Sequence, residues 1–266
     1  MKNLIVFLLV FLIAQTVRAA ELFGTVDAVS GEASVIDPAG VKTPVTTGLK
    51  IFAGQSIQTA SDGEVQIITE DSGLIALRPN SSFRIDRYQA KGEPSDEVFF
   101  SLFKGALRSI TGWIARRNSA AYRLSTPTAT IGVRGTDHET TVLENAMDDD
   151  LPGTFDTVNE GVTVLKTARG EIEVHPGEHA FSPRDQSAAP AILARQPAFW
   201  QRRILKIENR IQQRKPNLQQ QVQRRLGENA QGTRSKIGEQ KPEIGNHREA
   251  VKKRIEKRKL RERRIP

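Results

Sequence analysis

The stretch TPTATIGVRGTDHE, Thr126–Glu139, holds most of the residue types in this chain that could do chemistry at close spacing. Its last six residues bring Arg134, Asp137, His138 and Glu139 together around a Gly-Thr pair. A histidine beside carboxylates is the usual equipment of general acid–base catalysis. The alternating Thr and Ile before them are instead typical of a β-strand, whose polar residues need not react with anything. The sequence patterns around the stretch must distinguish a catalytic cluster from a polar strand with a turn.

A second group of ionisable residues lies in HPGEH, where His175 and His179 are four residues apart. On a helix that spacing would aim two imidazoles at one metal ion. The Pro-Gly pair between them predicts a turn, so a shared site would have to borrow His138 or Glu139. We predict two surface histidines flanking a β-turn and no metal. A metal-dependent hydrolase using His138, His175 and His179 is the weaker alternative.

The segment MDDDLPGTFD, residues 147–156, carries four aspartates: Asp148, Asp149, Asp150 and Asp156. It lacks the Asp-x-Asp-x-Asp-Gly spacing and the distal glutamate of a calcium loop, so we predict an acidic surface loop. The sequence also has no nucleophile elbow, P-loop or dinucleotide fingerprint. Its many carboxylates are compatible with a glycosidase-like pair of catalytic carboxylates, but nothing in the sequence indicates which two residues would form it. The balance predicts a protein that is not an enzyme and binds no cofactor.

The N-terminus has the pattern of a secretory signal peptide. Lys2 precedes an eleven-residue apolar run, Leu4–Ala14, and the residues at 17 and 19 suit cleavage after Ala19. The run is short for a membrane span, and an uncleaved anchor is the alternative. The chain has no cysteine, which excludes disulfides, zinc–thiolate sites and a thiol nucleophile. We predict a signal peptide at 1–19 and a periplasmic protein.

Charge and strand patterns divide the rest of the chain into two parts. Residues 20–183 have a net charge of −9, whereas residues 184–266 have a net charge of +15. The first part has short runs rich in Val, Ile and Thr, punctuated by glycine turns, and Asp62-Gly63 and Ser72-Gly73 have the chemistry of tight hairpins. We predict an all-β domain at 20–183, a twisted roll or solenoid-like sandwich.

Four segments of this domain, taken together, resemble the FecR domain, the periplasmic domain of ferric-citrate-type regulators. They are AGQSIQTASDGEVQI (53–67), RPNSSFRI (78–85), FFSLFKGALRS (99–109) and YRLSTPTATIGVRGTDHE (122–139). The resemblance covers most of 21–183. Each element alone is weak, but their combination and order are specific.

The resemblance gives the opening stretch a structural explanation. Its motif residues are Pro127, Gly132, Arg134, Gly135, Thr136 and Asp137. Pro127 suits an edge or the start of a strand, and the two glycines permit bends or close backbone approach. A buried or half-buried arginine must be paired, so we expect Arg134 to brace the fold through Asp137 or Glu139.

The family's transmembrane regulators have a cytoplasmic anti-sigma segment and one membrane helix before this domain, where this sequence has a signal-peptide pattern. The resemblance therefore implies a free-standing exported member, and sigma-factor regulation with its iron context is not carried over. We predict a non-catalytic envelope interaction or sensing module that binds an envelope protein. A ligand-binding sensor with a pocket around Arg134 is the alternative.

The basic tail, 184–266, is predicted to be partly helical. Apolar residues spaced by four and three residues over 198–226 are typical of a helix stripe or a short coiled-coil seam, which Pro216 should end or kink. Four glycines predict a flexible stretch at 227–246. Residues 247–266 are predicted to form a basic helix or a disordered arm. A solvated extension is the favoured interpretation. The alternatives are binding to anionic surfaces, docking on the acidic body or on an acidic partner, and nucleic-acid binding, which export disfavours.

Overall fold

The computed structural model describes residues 20–201 and 205–228, and strands dominate them. Fifteen strands form one mixed sheet that remains open, so the all-β prediction is confirmed. The strands are β1 (Leu22–Ser30), β2 (Ala33–Ile36), β3 (Lys42–Pro44), β4 (Lys50–Phe52), β5 (Ser56–Thr59), β6 (Glu64–Thr69), β7 (Leu74–Leu77), β8 (Ser82–Gln89), β9 (Glu97–Ile110), β10 (Tyr122–Ser125), β11 (Thr130–Leu143), β12 (Gly153–Thr167), β13 (Gly170–Val174), β14 (His179–Pro183) and β15 (Ala191–Ile192). The helices are α1 (Trp113–Arg117), α2 (Ala198–Gln201) and α3, residues 208–228, with a 3-10 turn at Ser119–Ala121.

The sheet is organised by the long strand β9, whose two halves pair with different strands. The main path runs β15-β14-β12-β11-β10-β9-β7-β6-β1-β4, and a branch leaves β9 through β8, β5, β2 and β3. Residues 97–104 of β9 pair with β8 and, in part, with β10, whereas 105–110 pair with β7 and β11. Gly105 lies at this change of partners with a φ of +81°. A Cβ there would come within 2.4 Å of the Ser81 Cα, so only glycine fits.

The main core lies on one side of β8, β9 and β10, where every second residue points inward. Phe83 and Ile85 alternate with exposed arginines on β8, and Phe100 is buried between its solvent-facing neighbours on β9. Edge-to-face contacts connect Phe100 to Phe23 and Tyr122, with ring centroids 5.4 and 5.8 Å apart. This period-two alternation is what the β-rich sequence predicted.

The two predicted hairpins have different outcomes. Ser72-Gly73 joins the antiparallel pair β6–β7, and Ser72 has the positive φ of +59° that the tight turn needs, so this prediction is confirmed. The prediction of a hairpin at Asp62-Gly63 is wrong, because β5 pairs with β2 and β8 whereas β6 pairs with β1 and β7. The turn at Asp62-Gly63 instead carries the chain from the branch to the main path of the sheet.

The tail also departs from its predicted form. The chain is not helical at 205–207, so α2 and α3 are separate helices rather than one stripe over 198–226. Of the two effects predicted for Pro216, an end of the helix is wrong, since α3 continues from 208 through 228, and a kink stays a prediction. An interior proline costs about 3 kcal/mol, and packing on the sheet offsets that cost, because Ile211 and Leu218 on either side are buried. Residues 1–19 and 229–266, with the predicted signal peptide and most of the predicted flexible and basic segments, lie outside the described residues.

Replacement of Gly105 tests the change of partners in β9. We expect Gly105→Ala to lower the free energy of unfolding by about 2 kcal/mol or more, because it combines a positive φ with a clash against backbone. Gly132→Ala is the matched control, since nothing lies within 4 Å of a Cβ built there and its φ is ordinary. Urea denaturation of both variants provides the comparison, and equal stability would contradict this role of Gly105.

Candidate functional site

The helix α3 lies across one face of the sheet, and this helix-docking face is the candidate functional site. Its apolar part is formed by side chains of β1, β7 and β9 that meet the helix and the residue preceding it. On the sheet these are Ala28, Leu74, Ala76 and Ile110, and on the helical segment they are Ile207, Ile211 and Leu218. All are buried. The solvated extension favoured by the sequence is therefore wrong for residues 205–228, which fold back on the acidic body.

Beside the apolar part, Arg78 is buried in the same face with 2% of its side chain exposed. Its Nη2 donates to Glu139 Oε2 and to Glu208 Oε2, both at 2.9 Å, and its Nη1 lies 4.0 Å from Glu64 Oε2. Two of these carboxylates belong to the sheet, whereas Glu208 belongs to α3. A buried arginine is tolerated only where its charge is paired, and α3 supplies part of that pairing.

The second buried arginine, Arg108, also shares Glu208. Its Nε and Nη2 form a two-pronged contact with Asp137, at 2.8 and 2.7 Å. Its Nη1 donates to Glu208 Oε1. The carboxylate of Glu208 therefore bridges Arg78 and Arg108, and it ties α3 both to β9 and to the residue that follows β7. Because the fork of a guanidinium fixes direction as well as distance, these contacts also fix the register of the helix.

Basic residues of α3 pair with acids of the sheet on either side of this bridge. Lys215 Nζ donates to Asp137 at 2.6 Å and to Glu160 at 2.7 Å. Arg210 and Arg214 both bond to Asp27, with Nε–Oδ2 at 2.8 Å and Nη2–Oδ1 at 2.5 Å, respectively. The contacts of Arg210 and Arg214 with Asp27 lie nearer the solvent, so they contribute less to stability than the buried ion pairs do.

The two surfaces have opposite net charge. On the sheet, five acids outnumber two arginines: Asp27, Glu64, Asp137, Glu139 and Glu160 against Arg78 and Arg108. The segment 205–228 carries six basic residues and two glutamates, a net charge of +4. The helix-docking face therefore recognises a basic amphipathic helix that places one carboxylate between its two arginines.

Asp137 is the acid on which this charge arrangement acts most strongly. Burial alone would raise its pKa, but hydrogen bonds and charge from Arg108 and Lys215 outweigh burial and lower the pKa to about 2. The same two influences act on Asp27, whose pKa is lowered by Arg210 and Arg214 against the effect of burial. Both carboxylates are therefore held in their charged form by the ion pairs across the face.

The structure distributes the predicted motif residues among different surroundings. Pro127 is exposed in the turn between β10 and β11, and Thr136 is buried, with its N–H donating to Thr111 Oγ1 at 2.8 Å. Gly135 has a φ of +61° at a bulge of β11, as its predicted bend requires. Gly132 has a φ that any residue can adopt, and nothing lies within 4 Å of a Cβ built there.

The expected bracing role of Arg134 is wrong. Its side chain is 56% exposed and donates to Glu173 on β13. The expected partners are taken, since Asp137 is bonded to Arg108 and Glu139 to Arg78. The arginines that brace the fold are therefore Arg78 and Arg108. In the sequence, each of them directly follows a short apolar run, LIAL or GAL, and this position is the one sequence feature that points to them.

The histidines are separated in the structure. His138 is fully buried, with Nδ1 2.9 Å from Asp156 Oδ1, whereas His179 Nδ1 lies 2.8 Å from Thr157 Oγ1. His175 is 54% exposed at the predicted turn, but His179 is half-buried, and burial lowers its pKa. Across residues 20–201 and 205–228 there is no group of three potential ligands placed to hold a metal ion.

The acidic segment 147–156 is a surface loop only in part. Asp148 and Asp149 are exposed, but Asp156 is fully buried on β12. Its carboxylate accepts hydrogen bonds from Thr140 at 2.7 Å and from Thr163 at 2.6 Å, besides the contact to His138. The prediction of an acidic surface loop is therefore wrong for Asp156, whose carboxylate these hydroxyls satisfy in the interior, and for Asp150, which is also buried.

A cavity of about 610 Å³ opens beside the helix-docking face. Its lining includes Arg78, Lys104, Leu143, Met147, Phe199 and Leu205. Arg134 does not line it, so this cavity is not the pocket that the ligand-sensor alternative expected.

Removal of the Glu208 carboxylate tests the bridge. We expect Glu208→Gln to lower the free energy of unfolding by about 1–3 kcal/mol, because it leaves two buried arginines with less compensation. Glu228→Gln on the same helix is the matched control, since Glu228 is exposed and its ion pair with Arg225 is long at 3.8 Å. We expect this control to change the free energy of unfolding by less than about 0.5 kcal/mol. Chemical denaturation measures both, and equal effects would exclude a special role for Glu208.

The lowered pKa of Asp137 predicts a pH dependence of stability. The stabilisation by this group is fully present above its ordinary pKa of 3.8 and is lost as the pH falls towards 2. It amounts to about 2 kcal/mol, and Asp137→Asn should lack this part of the pH slope. Urea denaturation between pH 6 and pH 2 measures the slope. The same slope in both proteins would show that Asp137 is not held ionised by its partners.

One comparison with known proteins, the match to a family model, agrees with the family resemblance. The model of the FecR protein family matches residues 55–150. Two crystal structures of a candidate anti-sigma factor from Parabacteroides distasonis, at 1.65 and 2.50 Å, each align with 14% identity and a TM-score of 0.40 over 52% of this chain and 58% of that chain. No curated protein matches the sequence. In the described residues no helix has the length and hydrophobicity needed to cross a membrane. Residues 55–150 therefore match the FecR family model, and the resemblance found in the sequence is confirmed for that segment.

Proposed function

We propose that this chain is an exported, non-catalytic interaction or sensing module of the cell envelope, located in the periplasm, which binds another envelope protein. The FecR domain and the signal-peptide pattern support the regulatory class and the compartment. The observation that carries the proposal is the helix-docking face, where an acidic sheet surface with two buried arginines holds a basic amphipathic helix.

The chemistry of this face fits recognition better than it fits a permanent core. Buried ion pairs add little net stability over apolar packing, but a wrongly placed helix would leave Arg78 and Arg108 without compensation. The face therefore discriminates strongly among helices. In the present arrangement α3 is the ligand in cis, bound through Glu208 and Lys215.

The partner that this face fits is an envelope protein with a basic amphipathic helix. Its helix would present apolar residues with the spacing of Ile207, Ile211 and Leu218, and a carboxylate in its first turn to replace Glu208. Such a helix would compete with α3 for the same surface. For residues 229–266, the binding of anionic surfaces or of an acidic partner remains a prediction from sequence.

Recognition by this face can be tested with a peptide of residues 205–228. We expect a variant carrying Ile211→Asp and Leu218→Asp, in which α3 is weakened, to bind the peptide in trans at least about tenfold more tightly than the unmodified chain, whose face is occupied. Fluorescence anisotropy of the labelled peptide gives both affinities. A peptide with Glu208→Lys is the matched control and should bind far less, because it brings a cation to Arg78 and Arg108.

Two results would contradict the proposal: equal binding of both peptides, or no binding by a variant whose circular dichroism still shows an intact β-domain. If the double variant does not fold, Leu218→Ser alone weakens α3 more gently. In intact cells, photocrosslinkers placed in the helix-docking face should capture one envelope protein more strongly in the variant with weakened α3. A capture that α3 does not affect would place partner binding elsewhere on the chain.

A further inference from the structure

A second surface, on the solvent side of β8, β9 and β10, carries aromatic residues where a sheet normally shows polar ones. Along β9, Phe99 and Phe103 point away from the core while Phe100 and Leu102 point into it. Phe103 is 43% exposed. An exposed phenylalanine beside other apolar and charged groups is a common feature of interaction surfaces.

Three arginines flank these two rings. Arg87 on β8 and Arg123 on β10 are both directly opposite Phe99, and their guanidinium carbons lie 5.1 and 4.9 Å from its ring centre. The guanidinium of Arg84 lies 5.1 Å from the ring centre of Phe103. We call these five residues the arginine–phenylalanine face.

Stacking prepares these guanidinium groups to bind carboxylates. A guanidinium held against a ring by a cation–π contact keeps its N–H donors at its edge. Two of the arginines already contact acids of their own surface, Arg84 with Asp86 at 2.6 Å and Arg87 with Glu97 at 3.7 Å. With those two acids included, the face keeps a net charge of +1 within a body, 20–183, whose net charge is −9. The complementary surface should be acidic and partly apolar.

The loop between β11 and β12, residues 144–152, has that composition. Met147 and Leu151 are 51% and 64% exposed and flank the exposed Asp148 and Asp149. The loop is held in shape, because Met147 and Asp150 exchange backbone hydrogen bonds of 3.1 and 2.9 Å, and the Asp150 carboxylate accepts the N–H of Phe199. We call it the acidic loop.

The two surfaces together account for most of the exposed apolar bulk. In residues 20–201 and 205–228, five large hydrophobic side chains are exposed: Val41, Phe103, Met147, Leu151 and Ile192. Three of the five lie in the arginine–phenylalanine face or the acidic loop, with basic groups around one and acidic groups around the other. We propose that the two surfaces bind each other between two copies of this chain.

The fold allows both contacts to form in one dimer. Val142, near the end of β11, pairs with Gly105, two residues beyond Phe103, so the acidic loop leaves the sheet at the same end of β9 as Phe103. Because the two surfaces are neighbours on one copy, a twofold axis between two copies brings each loop to the other copy's face. The apolar contact is Met147 and Leu151 with Phe103, and the charged contact is Asp149 with the arginines.

Charge reversal of each surface, followed by mixing, tests the dimer. The face variant carries Arg84→Glu, Arg87→Glu and Arg123→Glu, and the loop variant carries Glu144→Lys and Asp149→Lys. In sedimentation equilibrium of the full mature chain, each variant alone should dimerise at least about tenfold more weakly than the unmodified protein, because like charges then meet. An equimolar mixture should recover the dimer, since the Glu face meets the Lys loop and the Arg face meets the acidic loop.

The matched control is a triple reversal in the C-terminal segment, Lys252→Glu, Arg254→Glu and Arg258→Glu, which should leave dimerisation unchanged. If the face variant does not fold, Phe103→Ala and Leu151→Ser remove the apolar contact without reversing charge and should weaken the dimer. The proposal is overturned if the unmodified protein is monomeric at about 1 mM, because its dissociation constant would then lie well above that concentration. It is also overturned if the two reversed variants dimerise normally, or if their mixture fails to recover the dimer.

Discussion

The need to neutralise two buried arginines is the constraint on which this structure depends. Arg78 and Arg108 lie on a sheet face among apolar neighbours, where an unpaired charge would cost several kcal/mol. The sheet supplies part of the compensation through Glu139 and Asp137, and Glu208 of α3 adds a further carboxylate to both arginines. The helix is thereby fixed in position and register. The net charge of the chain changes sign near residue 184. The segment 205–228, beyond this point, has a net charge of +4 and folds against the acidic domain.

Most of the β-architecture was predictable from local sequence. Period-two alternation and glycine turns indicated short strands, and Ser72-Gly73 indicated the β6–β7 hairpin correctly. Asp62-Gly63 misled because turn chemistry describes four residues, whereas strand pairing depends on partners far along the chain, such as β1 for β6. Pro216 misled for a related reason. Propensity measures an isolated helix, while Ile211, Leu218 and Val222 gain stability from a sheet that the local sequence does not reveal.

The candidate site was less predictable. The motif around residues 132–137 directed attention to Arg134, yet the strand places that side chain in solvent and Asp137 under the helix. Arg78 and Arg108 were inconspicuous because their position after a short apolar run is only a weak signal, and their common partner Glu208 is 130 and 100 residues away. Charge totals indicated docking of the tail on the body as one of four interpretations. Choosing among them required the positions of individual carboxylates, which only the folded sheet defines.

Hydrogen exchange of the α3 backbone amides in the intact protein measures whether this helix is docked on the sheet. A solvated helix of this length frays and exchanges rapidly. We expect the amides between 211 and 226 to exchange as slowly as many of the amides in β9, because release of α3 would expose Arg78 and Arg108. Exchange of these amides at rates typical of an isolated peptide, with β9 still protected, would contradict this expectation.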